Sequence, residues 1–359
     1  MINDHDSSSR REFVQTLGAM AAVPLASPGL LGAPFGVPSA SPDVRAVLYR
    51  PAQAFVDMLA AQGGKPLYEM SPADAREVLE KLQSGPVDKP PADIQEKVFP
   101  VGPSGKVSVR IYRPQGVTTA LPTVVYIHGG GWILGSANTH DRLLRDLTSA
   151  SRLAYVFVNY TRSPEARYPT AIEESYAVAK YVVEHGAEHN LDGRRLAIAG
   201  DSVGGNMTSA VTMLAKERNG PAITYWAMLY PVTDASFSQP SYSQFSNGPW
   251  LSKRAMEWFW DAYQPNKQER MKITASPLRA TTDQLKGMPR GLLLTDMNDV
   301  LRDEGEAYGQ NLIAAGVDIA VQRYFGIFHD FMMLNALADT PGTKFAIETT
   351  AKSLAAALG

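Results

Sequence analysis

Short apolar runs alternate with amphipathic stretches over most of this chain. Residues 123–127, 154–158 and 196–199 are continuous apolar segments, the pattern of strands buried on both faces. Residues 106–112 alternate as an exposed strand would, and 223–230, 291–295 and 319–324 continue the series. Helical spacing over 141–151, 171–184, 207–216 and 301–315 falls between them. The alternation predicts an α/β architecture, a mostly parallel sheet with helices on both faces. Ligands of such sheets bind at the carboxyl ends of the strands.

Two regions depart from this rhythm. Residues 44–61 and a segment starting at Pro72, with Ser71 as its cap, read as helices, and a Pro-rich linker follows at 86–91. About sixty residues separate the strands near Tyr230 and Gly291, more than a connection needs. They hold a polar stretch, 236–247, and a Ser252-capped helix with an apolar face of Met256, Phe259, Trp260 and Tyr263. The expected organisation is a tail at 1–41, N-terminal cap helices at 42–95, and a catalytic domain at 96–359 with a cap insertion at about 236–272.

Composition narrows the chemistry. The chain has 359 residues, 45% hydrophobic and 19% charged, with a formal net charge of -2, which leaves no basic footprint for nucleic acid. There is no cysteine, so disulfides, thiolate metal sites and a cysteine nucleophile are excluded, and only six histidines can supply a base. Arg10-Arg11 ahead of a mildly apolar stretch resembles a twin-arginine export signal; the other reading is a disordered tail, with a cytoplasmic protein behind it. Prolines at 24, 28 and 34 argue against a transmembrane helix there, and none is expected elsewhere.

The chemistry converges on Gly200-Asp201-Ser202-Val203-Gly204. A strand ends there and a helix begins, and the flanking glycines permit a turn that holds the Ser202 hydroxyl up at the sheet edge. His128-Gly129-Gly130-Gly131-Trp132 follows a strand directly. Its bare backbone suits an oxyanion hole, assigned to the N–H groups of Gly129, Gly130 and Val203, each worth roughly 3 kcal/mol in a transition state. His128 is expected to brace this loop. His329, just past the last strand, is the expected base for Ser202. Asp299 is the expected carboxylate behind it, with Asp296 as runner-up, while Asp303 and Glu304 read as acids in a helix's first turn. The order Ser202, Asp299, His329 is that of the α/β-hydrolases. Trp132, His140, Trp250 and Phe259 are the candidate substrate-binding residues, and no metal ligand set or cofactor is expected. An imidazole base predicts activity that falls as pH drops through roughly 6 to 7.

These motifs, with Tyr160-Thr161-Arg162-Ser163-Pro164-Glu165, the 247–258 segment, 299–304 and His329-Asp330-Phe331, resemble the bacterial hormone-sensitive-lipase family of esterases. The resemblance runs from about Asp43 to the C-terminus. It implies an α/β-hydrolase fold with a mostly parallel eight-stranded sheet and a helical cap, a Ser202–Asp299–His329 triad and cofactor-free hydrolysis of short- to medium-chain acyl esters through an acyl-enzyme. It also implies a glycine-rich loop able to admit bulky alcohols. Val203 stands where the family usually has alanine, Val300 where proline is usual, and Asp330 where glycine is usual. The expected partner is a small-molecule ester; a homodimer is compatible with this reading. An amidase or a deacetylase on an acylated metabolite or sugar would use the same triad, and a non-catalytic ligand-binding homologue would use the same pocket.

Overall fold

The computed structural model describes residues 46–359; the arginine pair and the apolar stretch behind it lie outside the described residues. The described residues form one compact unit. Eight strands form a single sheet: β1 (Ala92–Phe99), β2 (Val107–Pro114), β3 (Leu121–Ile127), β4 (Ala154–Asn159), β5 (Leu191–Asp201), β6 (Ile223–Leu229), β7 (Gly291–Asn298) and β8 (Ile319–Phe328). Their order is β1-β2-β4-β3-β5-β6-β7-β8. β1 and β2 pair antiparallel, as do β2 and β4, and the remaining pairs are parallel. The central runs of β3, β4 and β5 are fully buried, as their unbroken apolar character predicts.

The helices are α1 (Arg50–Gln62), α2 (Pro72–Gln83), α3 (Asp141–Ser151), α4 (Thr170–His185), α5 (Val203–Glu217), α6 (Pro240–Gln244), α7 (Lys253–Tyr263), α8 (Thr282–Leu285), α9 (Arg302–Ala314) and α10 (Pro341–Leu358). α3 packs on α10 and α4 on α5, covering the sheet. Ser71 caps α2 by accepting from the N–H of Asp74, and Ser252 caps α7 by accepting from that of Ala255.

Four elements differ from the sequence expectation. β1 begins at Ala92, inside the stretch assigned to cap helices; it is an edge strand with mostly exposed side chains, so it carries little apolar signal. α1 begins only at Arg50, where Pro51 suits a first helical turn. α5 begins at Val203, four residues earlier than its apolar spacing suggested, because Gly204 and Gly205 dilute the helical pattern exactly where the turn requires them. α10 was not foreseen; Thr340 caps it, and it closes the chain against α3. Among the described residues, no helix is long and apolar enough to cross a membrane.

Candidate active site

The site starts from a steric constraint. β5 turns into α5 at Ser202, whose backbone sits at φ 55° and ψ -119°, a left-handed region costly for a residue with a Cβ. The turn survives because its neighbours are bare: a Cβ on Gly204 would collide with the Ile127 carbonyl at the end of β3. The Ser202 N–H donates to the Leu229 carbonyl at 2.8 Å, and its own carbonyl accepts from Val232 at 3.1 Å. The end of β6 and the segment just after it therefore clamp the residue, and its hydroxyl stands at the carboxyl edge of the sheet.

His329 reaches this hydroxyl from the far end of β8. Its Nε2 lies 2.9 Å from Ser202 Oγ, and its Nδ1 lies 2.7 Å from Asp299 Oδ2. The other Asp299 oxygen accepts from the Leu301 N–H at 3.0 Å, which fixes the carboxylate's orientation. Ser202, Asp299 and His329 are each at least 97% buried. The loop after His329 is held by Arg142 of α3, whose Nη2 donates to the carbonyls of Met332 at 2.6 Å and Met333 at 3.0 Å. Gln83 of α2 donates to the same Met333 carbonyl at 2.8 Å. Neither Arg142 nor Gln83 stood out in the sequence, since a lone polar residue on an amphipathic helix carries no sign of being buried.

Burial by itself would depress the His329 imidazole, but the carboxylates of Asp299 and Asp330 outweigh it and hold the pKa up at about 9. An acidic limb above pH 6 to 7 is therefore expected. Asp296, the runner-up carboxylate, lies beside Asp299 with neither oxygen hydrogen-bonded. Burial and the neighbouring Asp299 charge push its carboxyl well above the usual range. Among the described residues, Asp296, Asp299 and His329 form the one cluster with metal-ligand spacing. Both imidazole nitrogens already face Asp299 and Ser202, so a metal there would have to displace one of them.

The glycine loop corrects the sequence reading. The Gly129 N–H donates to Asp201 Oδ1 at 3.1 Å, so its proton is turned away from the cavity. Asp201 also accepts from Tyr126 at 2.8 Å and faces His140 Nε2 at 3.3 Å. Burial pushes the Asp201 carboxyl up, and His140 and Tyr126 reverse this to leave it below its ordinary value. Among the described residues, nothing accepts from the N–H groups of Gly130, Gly131 or Val203, and Gly130 and Gly131 line the cavity beside Ser202. The sequence reading was one glycine out of step. Three identical residues cannot say which of them a neighbouring carboxylate engages. Gly131 has a signal of its own in the structure: φ is 61°, and a Cβ would strike the Phe259 ring. His128 braces the loop as expected, with Nδ1 at 2.8 Å from the Gly129 carbonyl and its ring stacked on Tyr160 at 4.2 Å. Burial holds its pKa down at about 3, so it is neutral.

The pocket candidates divide evenly. Trp250 and Phe259 line a cavity of about 1500 Å3 that also reaches Ser202 and His329. Trp132 does not: it stacks on Tyr263 at 4.0 Å and is buried behind the loop, anchoring it. His140 does not either, being fully buried against Asp201. The acids read as first-turn residues also do more than expected. Glu304 is buried and accepts from the N–H groups of Thr233 at 2.7 Å and Asp234 at 3.2 Å, and Asp303 accepts from Ser241 at 2.8 Å. They tie α9 to the insertion after β6.

Known proteins carry the same arrangement of elements. A family model described as alpha/beta hydrolase fold matches residues 124–333. The chain belongs to the α/β-hydrolases, in their hormone-sensitive-lipase-like branch. It is 38% identical to an esterase of Gibberella moniliformis over 79% of this chain and 89% of that one. It is 34% identical to carboxylesterase NlhH of Mycobacterium tuberculosis over 79% of this chain and 87% of that one. The crystal structure of a thermostable esterase from Pseudomonas putida superposes with a TM-score of 0.85 at 45% identity, covering 89% of this chain and 99% of that one.

Proposed function

We propose that this α/β-hydrolase is a serine carboxylesterase that works through an acyl-enzyme formed on Ser202. The observation that carries the reading is the unbroken relay from Asp299 through His329 to Ser202, at 2.7 and 2.9 Å, beside backbone N–H groups that have no acceptor of their own. Esterase activity among its relatives supports the same reading.

Ser202 Oγ attacks the ester carbonyl while His329 Nε2 takes its proton. Asp299 keeps the imidazole in the tautomer that leaves Nε2 free to accept, and stabilises the imidazolium once formed. The carbonyl oxygen becomes an oxyanion held by Gly130, Gly131 and Val203. They act without reorganising, since the glycine loop and the start of α5 are fixed before substrate arrives. The C–O bond to the alcohol then breaks as His329 returns the proton to the departing oxygen. Water enters the vacated place, gives a proton to His329 and attacks the acyl carbon; the C–O bond to Ser202 then breaks as His329 returns that proton to Ser202 Oγ, releasing the acid.

The cavity walls include Phe55, Leu79, Met256 and Phe259, so apolar acyl groups of short to medium length fit its chemistry. Purified protein is expected to release p-nitrophenol from p-nitrophenyl acetate and butanoate with a burst equal to the enzyme concentration when deacylation is slower than acylation. A covalent adduct of a fluorophosphonate probe should map to Ser202. A chain that hydrolyses no ester and takes no label would refute the assignment.

A further inference from the structure

Asp330 follows His329 directly, and its two carboxylate oxygens face different partners. Oδ2 accepts a 2.9 Å hydrogen bond from the indole Nε1 of Trp250. Oδ1 lies 3.4 Å from His329 Nε2, and no hydrogen-bond donor among the described residues satisfies it. The residue is 8% exposed and holds a φ of 65°, the left-handed conformation that glycine adopts without strain. The glycine expected here by family resemblance would satisfy the backbone but could hold nothing.

Trp250 belongs to the loop ahead of α7 and lines the cavity. Its ring packs against Phe55 of α1 at 5.7 Å, and Phe55 in turn stacks on Phe328 at the end of β8 at 6.2 Å. A large cap side chain is thus hung by its one polar atom on the residue next to the base.

The placement selects one side of the ester. His329 Nε2 must return its proton to the departing alcohol oxygen, which therefore comes within about 2.6–3.2 Å of that nitrogen. Asp330 Oδ1 stands 3.4 Å from the same nitrogen. The alcohol's substituent therefore leaves past Asp330 and the indole it holds. The acyl chain, carried on the carbon bonded to Ser202 Oγ, has the rest of the cavity.

We infer that Asp330 is a specificity-determining positioning residue: its hydrogen bond to Trp250 fixes the cavity wall on the alcohol side and favours esters of slender alcohols over branched alkyl ones, narrowing the tolerance of bulky alcohols that the family resemblance implies. This rests on the esterase reading of the same site. It deepens that reading by naming the favoured substrates as esters of unbranched primary alcohols, with the acyl side less restricted.

The test uses the full chain and two ester series. One varies the alcohol at constant acyl group, as ethyl, isopropyl and cyclohexyl acetate. The other varies the acyl group at constant alcohol, as ethyl acetate, butanoate and octanoate. Asp330→Gly, which relieves the backbone while removing the acceptor, is expected to raise the cyclohexyl-to-ethyl ratio of kcat/KM by about tenfold, leaving the octanoate-to-acetate ratio within about twofold. Asp330→Asn tolerates the same backbone and keeps a carbonyl acceptor for the indole, so it should hold the wild-type alcohol ratio. Trp250→Phe removes the indole donor by a separate route and should move the alcohol ratio in the direction of Asp330→Gly, which keeps the question open to test if the glycine variant misfolds. The inference is overturned if the alcohol ratio stays put in both Asp330→Gly and Trp250→Phe. It is also overturned if Asp330→Asn behaves like Asp330→Gly, or if the acyl ratio moves in step with the alcohol ratio. A wild-type chain inactive on every ester would instead overturn the esterase reading, and that result precedes any variant.

Discussion

The carboxyl edge of the sheet and the cavity wall formed by α1 and α2, which we read as a cap, are built to different tolerances. At the edge, Ser202, Asp299 and His329 are buried, and each is held by backbone that strand ends or helix starts have already fixed. Side chains there cannot move without breaking a hydrogen bond that has no replacement. In the cap, α1 and α2 bury only one face each, and Met58 and Val78, both cavity-lining residues, remain 40% and 43% exposed. α2 is held to the body by a few polar contacts: Arg76 to the Ile133 carbonyl at 2.8 Å and to Glu165 at 2.7 Å, and Gln83 to the loop after His329. Proton transfer demands fixed atoms, because it fails when a donor and an acceptor drift apart by fractions of an ångström. Apolar recognition demands only volume and surface, so the cap can be looser. The Asp330–Trp250 hydrogen bond is a further tie between the two kinds of region, made directly beside the base.

That contrast can be broken from either side. At the edge, Ser202→Ala should lower turnover of a p-nitrophenyl ester on the order of a millionfold with the fold intact by circular dichroism. Asp299→Asn should cost about 10⁴-fold in kcat with little change in KM, because the imidazole loses the partner that sets its tautomer. Retention of more than a tenth of the activity would move the role to Asp296. Gly204→Ala should destabilise the protein by several kcal/mol in urea unfolding, since the Ile127 carbonyl leaves no room for a methyl group.

The pH dependence is the next largest effect. The base must be neutral to accept the Ser202 proton, and its pKa is held at about 9. kcat/KM is therefore expected to fall about tenfold per unit as pH drops below that value, with the midpoint well above 7. The same elevation contributes stability that is complete below the ordinary histidine value of about 6.5. That contribution is lost as pH rises through about 9. A rate profile with its midpoint at 6 to 7 would show that the two carboxylates do not act on His329 together. In the cap, Arg76→Ala should change least: a loss of about 1 kcal/mol in thermal unfolding, because Glu165 is exposed and part of the ion pair is screened. An effect as large as that of Gly204→Ala would erase the distinction between the two regions.

Much of the reacting site was legible in the chain itself. Ser202 is marked by the glycines its turn requires, and His329 and Asp299 by their positions at strand ends, where this class of sheet collects its ligands. Those features are local, and local sterics are written in local sequence. The legibility failed wherever a choice depended on a neighbour distant in the chain. Which glycine N–H stays free was decided by Asp201, 72 positions from Gly129. Trp132 and His140 sit in motifs next to the pocket, but Tyr263 and Asp201 draw their side chains into the body instead. β1 escaped notice because an exposed edge strand takes its stability from pairing with β2, which leaves no apolar alternation behind.

The amino-acid sequence by itself determined the alternation that makes the sheet, the strained serine turn, and the residue types able to exchange a proton with it, because each follows from sterics and periodicity within a few positions. Only the tertiary structure decided which backbone amides face the cavity and which aromatic rings form its walls. Those outcomes depend on hydrogen bonds between segments as much as 80 positions apart, as for Trp250 and Asp330. A directional bond of about 3 Å is set by how the elements pack, not by the neighbours along the chain.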